Sequence, residues 1–271
     1  MHEASQHEHN LFVTLTYAPE HLPAFNSLDH RDFQKFFKRL RKAAQQGVDA
    51  NSIALRRLLA GRAAMGLRPM PLQIRYYMAG EYGELLSRPH YHACLFNYTV
   101  PDKELIGKTD SGHNIYSSKY LDGIWGKGMT TVGDVTFESA AYVARYVMKK
   151  RTGKQSAKHY EVIDLESGEI VVRKAEYNQP SRRPAIGKNW IEKYRTDTYP
   201  HGKIIINGKE TKAPRYYDKQ FERFDPEGYE LMQFGRQIEA ASNAAENTPR
   251  RLAAQEEVAH ARLSHLKRTI I

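Results

Sequence analysis

Up to about Lys150, apolar positions switch between a period of two and a period near 3.6, the pattern of strands interleaved with amphipathic helices. Residues 11–17 (LFVTLTY) alternate, with Phe12, Thr14 and Thr16 on one face and Leu11, Val13, Leu15 and Tyr17 on the other. Pro19 and Pro23 break this strand. Asp29 suits an N-cap, and the helix it opens runs to about Gln46. Phe33, Phe36, Phe37 and Leu40 form its apolar side; Lys35, Lys38, Arg39, Arg41 and Lys42 form a basic side read as a solvated face or a DNA contact. Gly47 stops it, and 52–64 reads as a basic helix. Residues 73–79 and 90–98 read as strands about a turn region at 80–88, and the polar stretch 101–118 as a loop. A short helix at 120–125, an edge strand at 128–135 and a helix at 138–150 follow.

Beyond Arg151 the periods shorten. Residues 160–164 and 169–173 predict a hairpin turned at Ser167-Gly168, and 204–206 before Asn207-Gly208 predict another. From about Pro226 the chain becomes rich in Ala, Glu, Gln and Arg, which predicts two helices separated near Thr248-Pro249. The order β-α-β-β-(α)-β-α predicts an α+β fold, a central antiparallel sheet covered by helices on one side. Residues 1–225 are read as one domain and 226–271 as a helical C-terminal extension.

Charge adds a partner to this outline. The 271 residues carry 41 Lys and Arg against 31 Asp and Glu, a net charge of +10. Such an excess points to nucleic acid, with a merely basic soluble protein as the bland alternative. The single cysteine, Cys94, excludes an intramolecular disulfide and suits a reducing cytoplasm. No apolar run reaches the length of a membrane span, and Met1-His2-Glu3-Ala4 opens no signal-peptide pattern, so a soluble cytoplasmic protein with no membrane partner is expected. Gly107-Lys108-Thr109 imitates the end of a phosphate-binding loop, but position 102 is Asp where glycine is required.

Candidate chemistry concentrates at Arg88-Pro89-His90-Tyr91-His92. Side chains two apart on a strand share a face, so His90 and His92 project together. A turn centred between Leu85 and Leu86 sets Glu81 opposite His90 and residue 79 opposite His92, with cross-strand Cβ atoms about 5 Å apart. Glu81, His90 and His92 then form a candidate metal site, with Glu84 a weaker ligand. One carboxylate and two imidazoles suit a divalent ion that keeps positions open for water or a phosphate oxygen. Purely structural histidines and a zinc hydrolase site compete with this reading, although the helical His-Glu-x-x-His pattern is absent. Cys94, on the same face, reads as a packed thiol.

Tyr142 and Tyr146 lie four apart on the helix from Glu138, and Lys149 and Lys150 extend their face by a turn, while Val143 and Val147 supply packing. Alone this is an aromatic stripe. Beside a metal, a phenol can attack a phosphodiester and hold the strand as a phosphotyrosine ester. With a pKa of about 10 it needs a polarised phosphate or a nearby lysine, and a second phenol can take the strand over. Tyr142, Tyr146, Lys149 and Lys150 are therefore the candidate catalytic residues. Three functions remain open: a nicking-joining enzyme, a nucleic-acid-binding module without chemistry, and a metal-dependent phosphodiesterase that uses water.

Taken together, these motifs resemble the HUH endonucleases, the rolling-circle replication initiators and relaxases. Phe12-Val13-Thr14-Leu15-Thr16-Tyr17 matches the first family motif, His90-Tyr91-His92 the His-hydrophobic-His motif, Glu81 the upstream ligand, and Tyr142 with Tyr146 the two-tyrosine motif. Gly80-Glu81-Tyr82-Gly83, Tyr142-Val143-Ala144-Arg145-Tyr146 and Pro214-Arg215-Tyr216-Tyr217-Asp218 resemble the replication initiators of the gokushovirus branch of the microviruses, small single-stranded DNA phages. The likeness covers roughly residues 10–220. Relatives usually carry a Cys- and Arg-rich segment before the first motif, which this sequence lacks; either a late start or a lineage without the segment is expected.

The resemblance implies a ferredoxin- or RRM-like palm whose antiparallel sheet carries the His pair, with the tyrosine helix nearby. It implies Mg²⁺ or Mn²⁺ as cofactor and a nick at a phage origin that is single-stranded at the cleaved bond. The protein stays on the 5′ phosphate while the 3′-OH primes synthesis. It further implies a host helicase and polymerase as partners, in the host bacterial cytoplasm.

Overall fold

The computed structural model describes residues 1–46, 64–65, 73–150, 153, 156–164 and 167–264, without the side chains of 46, 146–149 and 263–264. The chain divides into two compact units, Met1–Ile186 and Gly187–Thr269. The helix expected at 52–64 falls outside the described residues except for its last position.

In the first unit the strands are β1 (Asn10–Thr16), β2 (Arg75–Tyr82), β3 (Pro89–Phe96), β4 (Glu104–Lys108), β5 (Asn114–Ser117), β6 (Thr130–Asp134), β7 (Glu161–Ile163), β8 (Ile170–Val172) and β9 (Tyr177–Pro180). Seven of them form one antiparallel sheet ordered β4-β5-β6-β1-β3-β2-β9, and β7 and β8 form the hairpin expected around Gly168. The helices are α1 (His30–Gln46), α2 (Lys119–Trp125), α3 (Phe137–Lys149) and α4 (Ser156–Tyr160). The chain β1-α1-β2-β3-α2-β6 is a βαββαβ unit with inner strand order β6-β1-β3-β2, the α+β architecture expected from the pattern.

The sheet is covered on both faces, not one. Leu11, Val13 and Leu15 of β1 join Tyr91, Ala93 and Leu95 of β3 in a core closed by Phe33, Phe36, Phe37 and Leu40 of α1 and Trp125 of α2. The alternate positions Phe12, Ala79, Cys94 and Phe96 face Tyr142 and Val143 of α3 and Ala4 of the N-terminal segment. That segment is fixed by a buried Glu3–Arg75 ion pair of 2.9 Å. Strands whose two sides are both apolar need two covers, and β1 alternates between apolar residues and Phe or Thr rather than between apolar and charged.

The stretch 101–118 is not a loop: β4 and β5 form a hairpin that extends the sheet. A shift of register between Leu105 and Gly107 breaks its alternation, and Leu105 and Ile106 are both exposed, so the stretch lacks a strand's period. As a result β6 lies inside the sheet rather than at its edge. The sequence pattern does not reveal β9. Its Tyr-Asn-Gln-Pro composition resembles a turn, and it pairs only with β2, as an edge strand ending in proline can.

Asp29 caps α1, its carboxylate accepting from the Arg31 N–H at 3.0 Å. The basic side of this helix is only partly free. Arg39 donates to the Ile124 and Trp125 carbonyls, both at 2.7 Å, and so caps the end of α2. Arg41 donates to the Ile74 carbonyl. Lys35, Lys38 and Lys42 remain exposed.

Gly128 closes the approach of 127–129 to the end of β1, where Thr16 and Ala18 donate to the Met129 and Lys127 carbonyls at 3.0 and 2.8 Å. Its φ is +152°, and a β-carbon there would meet the Ala18 nitrogen at 2.5 Å and the Thr16 carbonyl oxygen. Gly128→Ala is expected to lower unfolding free energy by about 2–4 kcal/mol in a denaturant titration. Gly126→Ala, at a left-handed position with its nearest neighbour 3.7 Å away, should cost only about 1–2 kcal/mol. Equal destabilisation by the two would show that the close approach at Gly128 is not limiting.

The second unit contains α5 (Lys188–Lys193), α6 (Arg195–Thr198), β10 (Lys203–Ile206), β11 (Lys209–Lys212), α7 (Arg215–Phe224), α8 (Pro226–Ser242) and α9 (Pro249–Ser264). The β10–β11 hairpin turns at Asn207 and Gly208, both at positive φ, as expected. Tyr217 and Phe221 of α7 share a core with Met232 of α8. The boundary read at 225/226 therefore lies inside this unit, where the Asp225 carboxylate caps α8 through the Gly228 N–H. Among the described residues no helix is long and apolar enough to cross a membrane.

Candidate functional site

The β2–β3 hairpin closes through Gly83 N–H to the Arg88 carbonyl and Ser87 N–H to the Gly83 carbonyl, both at 3.0 Å. This symmetric closure sets the register: Glu81 pairs with His90 and Ala79 with His92. The carboxylate and both imidazoles converge as the pairing expects. Glu81 Oε1 lies 2.7 Å from His90 Nε2 and 2.9 Å from His92 Nε2. One ligand atom from each residue fits within 4.8 Å of the others. Glu81 and His92 are buried, while the His90 side chain is 18% exposed, so the cluster opens on the His90 side. Glu84 is exposed in the turn and stands outside this group.

Burial would raise the Glu81 carboxyl, but hydrogen bonds from His90 and His92 outweigh it and hold the pKa down at about 2. His90 Nδ1 faces the Arg88 carbonyl at 3.2 Å, and a carbonyl can only accept, so that nitrogen carries the proton. In the neutral ring, Nε2 then turns a lone pair toward a carboxylate oxygen 2.7 Å away. Only a proton or a cation between the two relieves that repulsion. The donor set therefore fits a divalent metal, and Glu81, His90 and His92 would hold it.

β1 adds parts that the sequence pattern does not assign. Thr14 pairs with His92 across β1 and β3, and its Oγ1 lies 2.9 Å from His92 Nδ1. Phe12 stacks on the same imidazole at 5.6 Å. Both residues lie on the face that the alternation of 11–17 defines, but only the sheet order brings that face beside His92. Thr14→Val keeps the shape and removes the hydroxyl. It should weaken Mn²⁺ binding about 10–100-fold in a calorimetric titration, and unchanged affinity would show that Thr14 does not orient the ring.

The tyrosine helix α3 begins in a capping box between Thr136 and Ser139 and packs on β2, β3 and β9. Its Tyr142 is buried, with the ring edge-on to His92 at 5.1 Å between centroids and to Phe12 at 6.3 Å. From β9, Asn178 donates to the Val143 carbonyl at 3.2 Å and the Tyr77 hydroxyl at 3.1 Å, tying the helix to the sheet. Tyr146 and Lys149 lie in the same helix, with side chains outside the described residues. Lys150 is exposed at its end, close enough to His30 that it adds to burial and Lys174 in lowering that imidazole's pKa. Cys94 is buried beneath α3 as a packed thiol, its pKa pushed up to about 12 by burial.

Fold and site together define an α+β protein with a two-histidine, one-carboxylate cluster against a tyrosine-bearing helix. Residues 10–151, which contain all of these elements except β9, match the family model for the replication-associated protein ORF2/gene 2 protein, and the chain belongs to that family. It is 33% identical over 228 residues to the replication-associated protein VP4 of Bdellovibrio phage phiMH2K, covering 83% of this chain and 62% of that protein. To the replication-associated protein ORF2 of Spiroplasma virus 4 it is 30% identical over 228 residues, covering 81% and 60%. The replication-associated protein ORF4 of Chlamydia phage 1 is 26% identical over 220 residues, with 79% and 46% covered. The chain thus spans about three fifths of the first two relatives. No solved structure matches it.

Proposed function

We propose that this protein is a sequence-specific single-strand DNA endonuclease and strand transferase that nicks a phage replication origin and starts rolling-circle replication through a 5′-phosphotyrosine intermediate. The observation that carries this reading is the contact of Tyr142 with His92, which sets a phenol-bearing helix on a buried metal-ligand cluster. Family membership and the phage relatives support a replication role. Glu81, His90 and His92 hold Mg²⁺ or Mn²⁺. Bound there, the ion polarises the scissile phosphate and offsets the charge that develops on it.

Tyr142 or Tyr146 supplies the attacking oxygen. The bond from that oxygen to phosphorus forms, the bond from phosphorus to the 3′ oxygen breaks, and the 3′ oxygen takes a proton to become a primer terminus. Lys149 and Lys150 lend positive charge to the phenolate or the phosphate. The other tyrosine takes the strand when a displaced circle is closed. The nicking chemistry belongs to the first compact unit. A host helicase opens the duplex and a host polymerase extends the primer, in the host bacterial cytoplasm.

One observation favours a second reading. Tyr142 is only 7% exposed and shares a core cluster with Phe12 and Val143, which suits a packing role beside a metal-dependent phosphodiesterase that uses water. Single-stranded oligonucleotides tiled across the genome that encodes the protein, incubated with Mn²⁺ and run on denaturing gels, separate the two. A covalent adduct on the 5′ phosphate is expected. Cleavage without an adduct would favour the water-using reading, and binding without cleavage would overturn both.

A further inference from the structure

The Gly187–Thr269 unit lies beyond the family match and contributes no residue to the metal-ligand cluster. Its surface holds a cavity of about 470 Å³ whose lining includes Lys212 of β11, Arg215 and Lys219 of α7, and Tyr229, Gln233 and Arg236 of α8. A second cavity of about 500 Å³ adjoins it, sharing Lys212 and Arg236.

The charges around this groove are sorted. Asp218, the acid lining the first cavity, is buried and accepts from the Tyr199 hydroxyl at 2.8 Å and from Arg236 at 2.8 and 3.3 Å. Asp218 and Arg236 therefore cancel within the wall and join α7 to α8. Lys203, opposite Lys212 in the hairpin, turns to Glu210 at 2.8 Å. Lys212, Arg215 and Lys219 are exposed and make no ion pair among the described residues. Three uncancelled cations thus border an aromatic ring and an amide. Arg215 and Lys219 are one turn apart, about 6 Å along the axis, a spacing suited to neighbouring phosphates on an extended strand.

We propose that this groove grips the phosphate backbone of DNA, as a contact additional to the nicking site. A single anion would call for convergent donors in one closed pocket. Two open, adjoining cavities with cations along their shared border fit a polymer, and the chain's net charge of +10 favours an anionic one. Tyr229 offers a ring on which a base can stack.

The test uses the full chain and a labelled single-stranded oligonucleotide, followed by fluorescence anisotropy over a salt series with a chelator present. Neither metal nor nicking then enters, so the outcome is independent of the tyrosine chemistry. The triple variant Lys212→Gln, Arg215→Gln, Lys219→Gln alters only exposed side chains. It should bind at least about 10-fold more weakly at low salt, with the slope of log K against log salt shallower by about 2, since each phosphate no longer neutralised on a single strand removes roughly 0.7 from the slope. Lys103→Gln, Lys108→Gln, Lys119→Gln, which removes three exposed cations of the first unit, should change the slope by less than half as much. Equal weakening by both triples, or an unchanged slope in the first, would overturn the proposal. Displacement of the DNA by polyglutamate at equal charge concentration would also overturn it, in favour of a site for acidic protein segments. Should the triple variant lose its circular dichroism signal, Lys219→Gln alone carries the test, with a slope shallower by about 0.7 expected and an unchanged slope decisive against the groove.

Discussion

His90→Ala is expected to remove metal-dependent cleavage, lowering its rate at saturating Mn²⁺ by about 10³-fold or more, which corresponds to about 4 kcal/mol of lost transition-state stabilisation. His90 gives a cleaner test than His92. It is the more exposed of the two, and its partners are Glu81 and the Arg88 carbonyl. His92 also carries Thr14, Phe12 and Tyr142, so its removal would disturb packing as well as ligation. A thermal-shift series separates ligation from folding. Wild-type protein should gain about 2.7 kcal/mol of stability at a metal concentration 100 times the dissociation constant, and the variant should gain almost none. Undiminished cleavage by His90→Ala would end the ligand assignment.

The second large effect concerns the phenols. The double variant Tyr142→Phe, Tyr146→Phe should form no covalent adduct while still binding metal and DNA, because phenylalanine has no oxygen to offer phosphorus. Tyr142→Phe keeps the ring that packs on His92 and Phe12, so a change in chemistry with it reports on the hydroxyl. Comparing cleavage with rejoining in the two single variants reveals which tyrosine acts first. A double variant with a full adduct would remove both from the mechanism. If Tyr142→Phe alone leaves cleavage and rejoining untouched, Tyr142 is a packing residue and Tyr146 the working nucleophile.

The centre of the site was legible because a symmetric turn and the two-residue period of a strand are local properties. Once Leu85 and Leu86 mark the turn, Glu81 must face His90. The partners of His92 were not legible. Thr14 and Phe12 are some 80 residues away in sequence, and only the pairing of β1 with β3 sets them there. Arg39 and Arg41 show the same limit. A helical pattern assigns them to the polar side, yet their length lets them fold back onto carbonyls at the edge of the core. The edge strands β4 and β9 escaped because an edge strand is exposed on too many sides to keep an apolar period. In the second unit, helices of four to ten residues are too short for periodicity to stand out, although Tyr217 and Phe221 of α7, four apart, do anchor its core.

The burial of Cys94 has a practical side. The chain contains no other thiol, and this one is enclosed in the sheet with its ionisation suppressed, so alkylating reagents should leave the native protein unmarked. Leu85 stands 96% exposed at the tip of the β2–β3 hairpin, four residues and about 13 Å of extended chain from Glu81. Leu85→Cys would therefore present a single addressable handle. A nitroxide attached there could serve as a molecular ruler, its relaxation reporting how near a paramagnetic Mn²⁺ comes to rest.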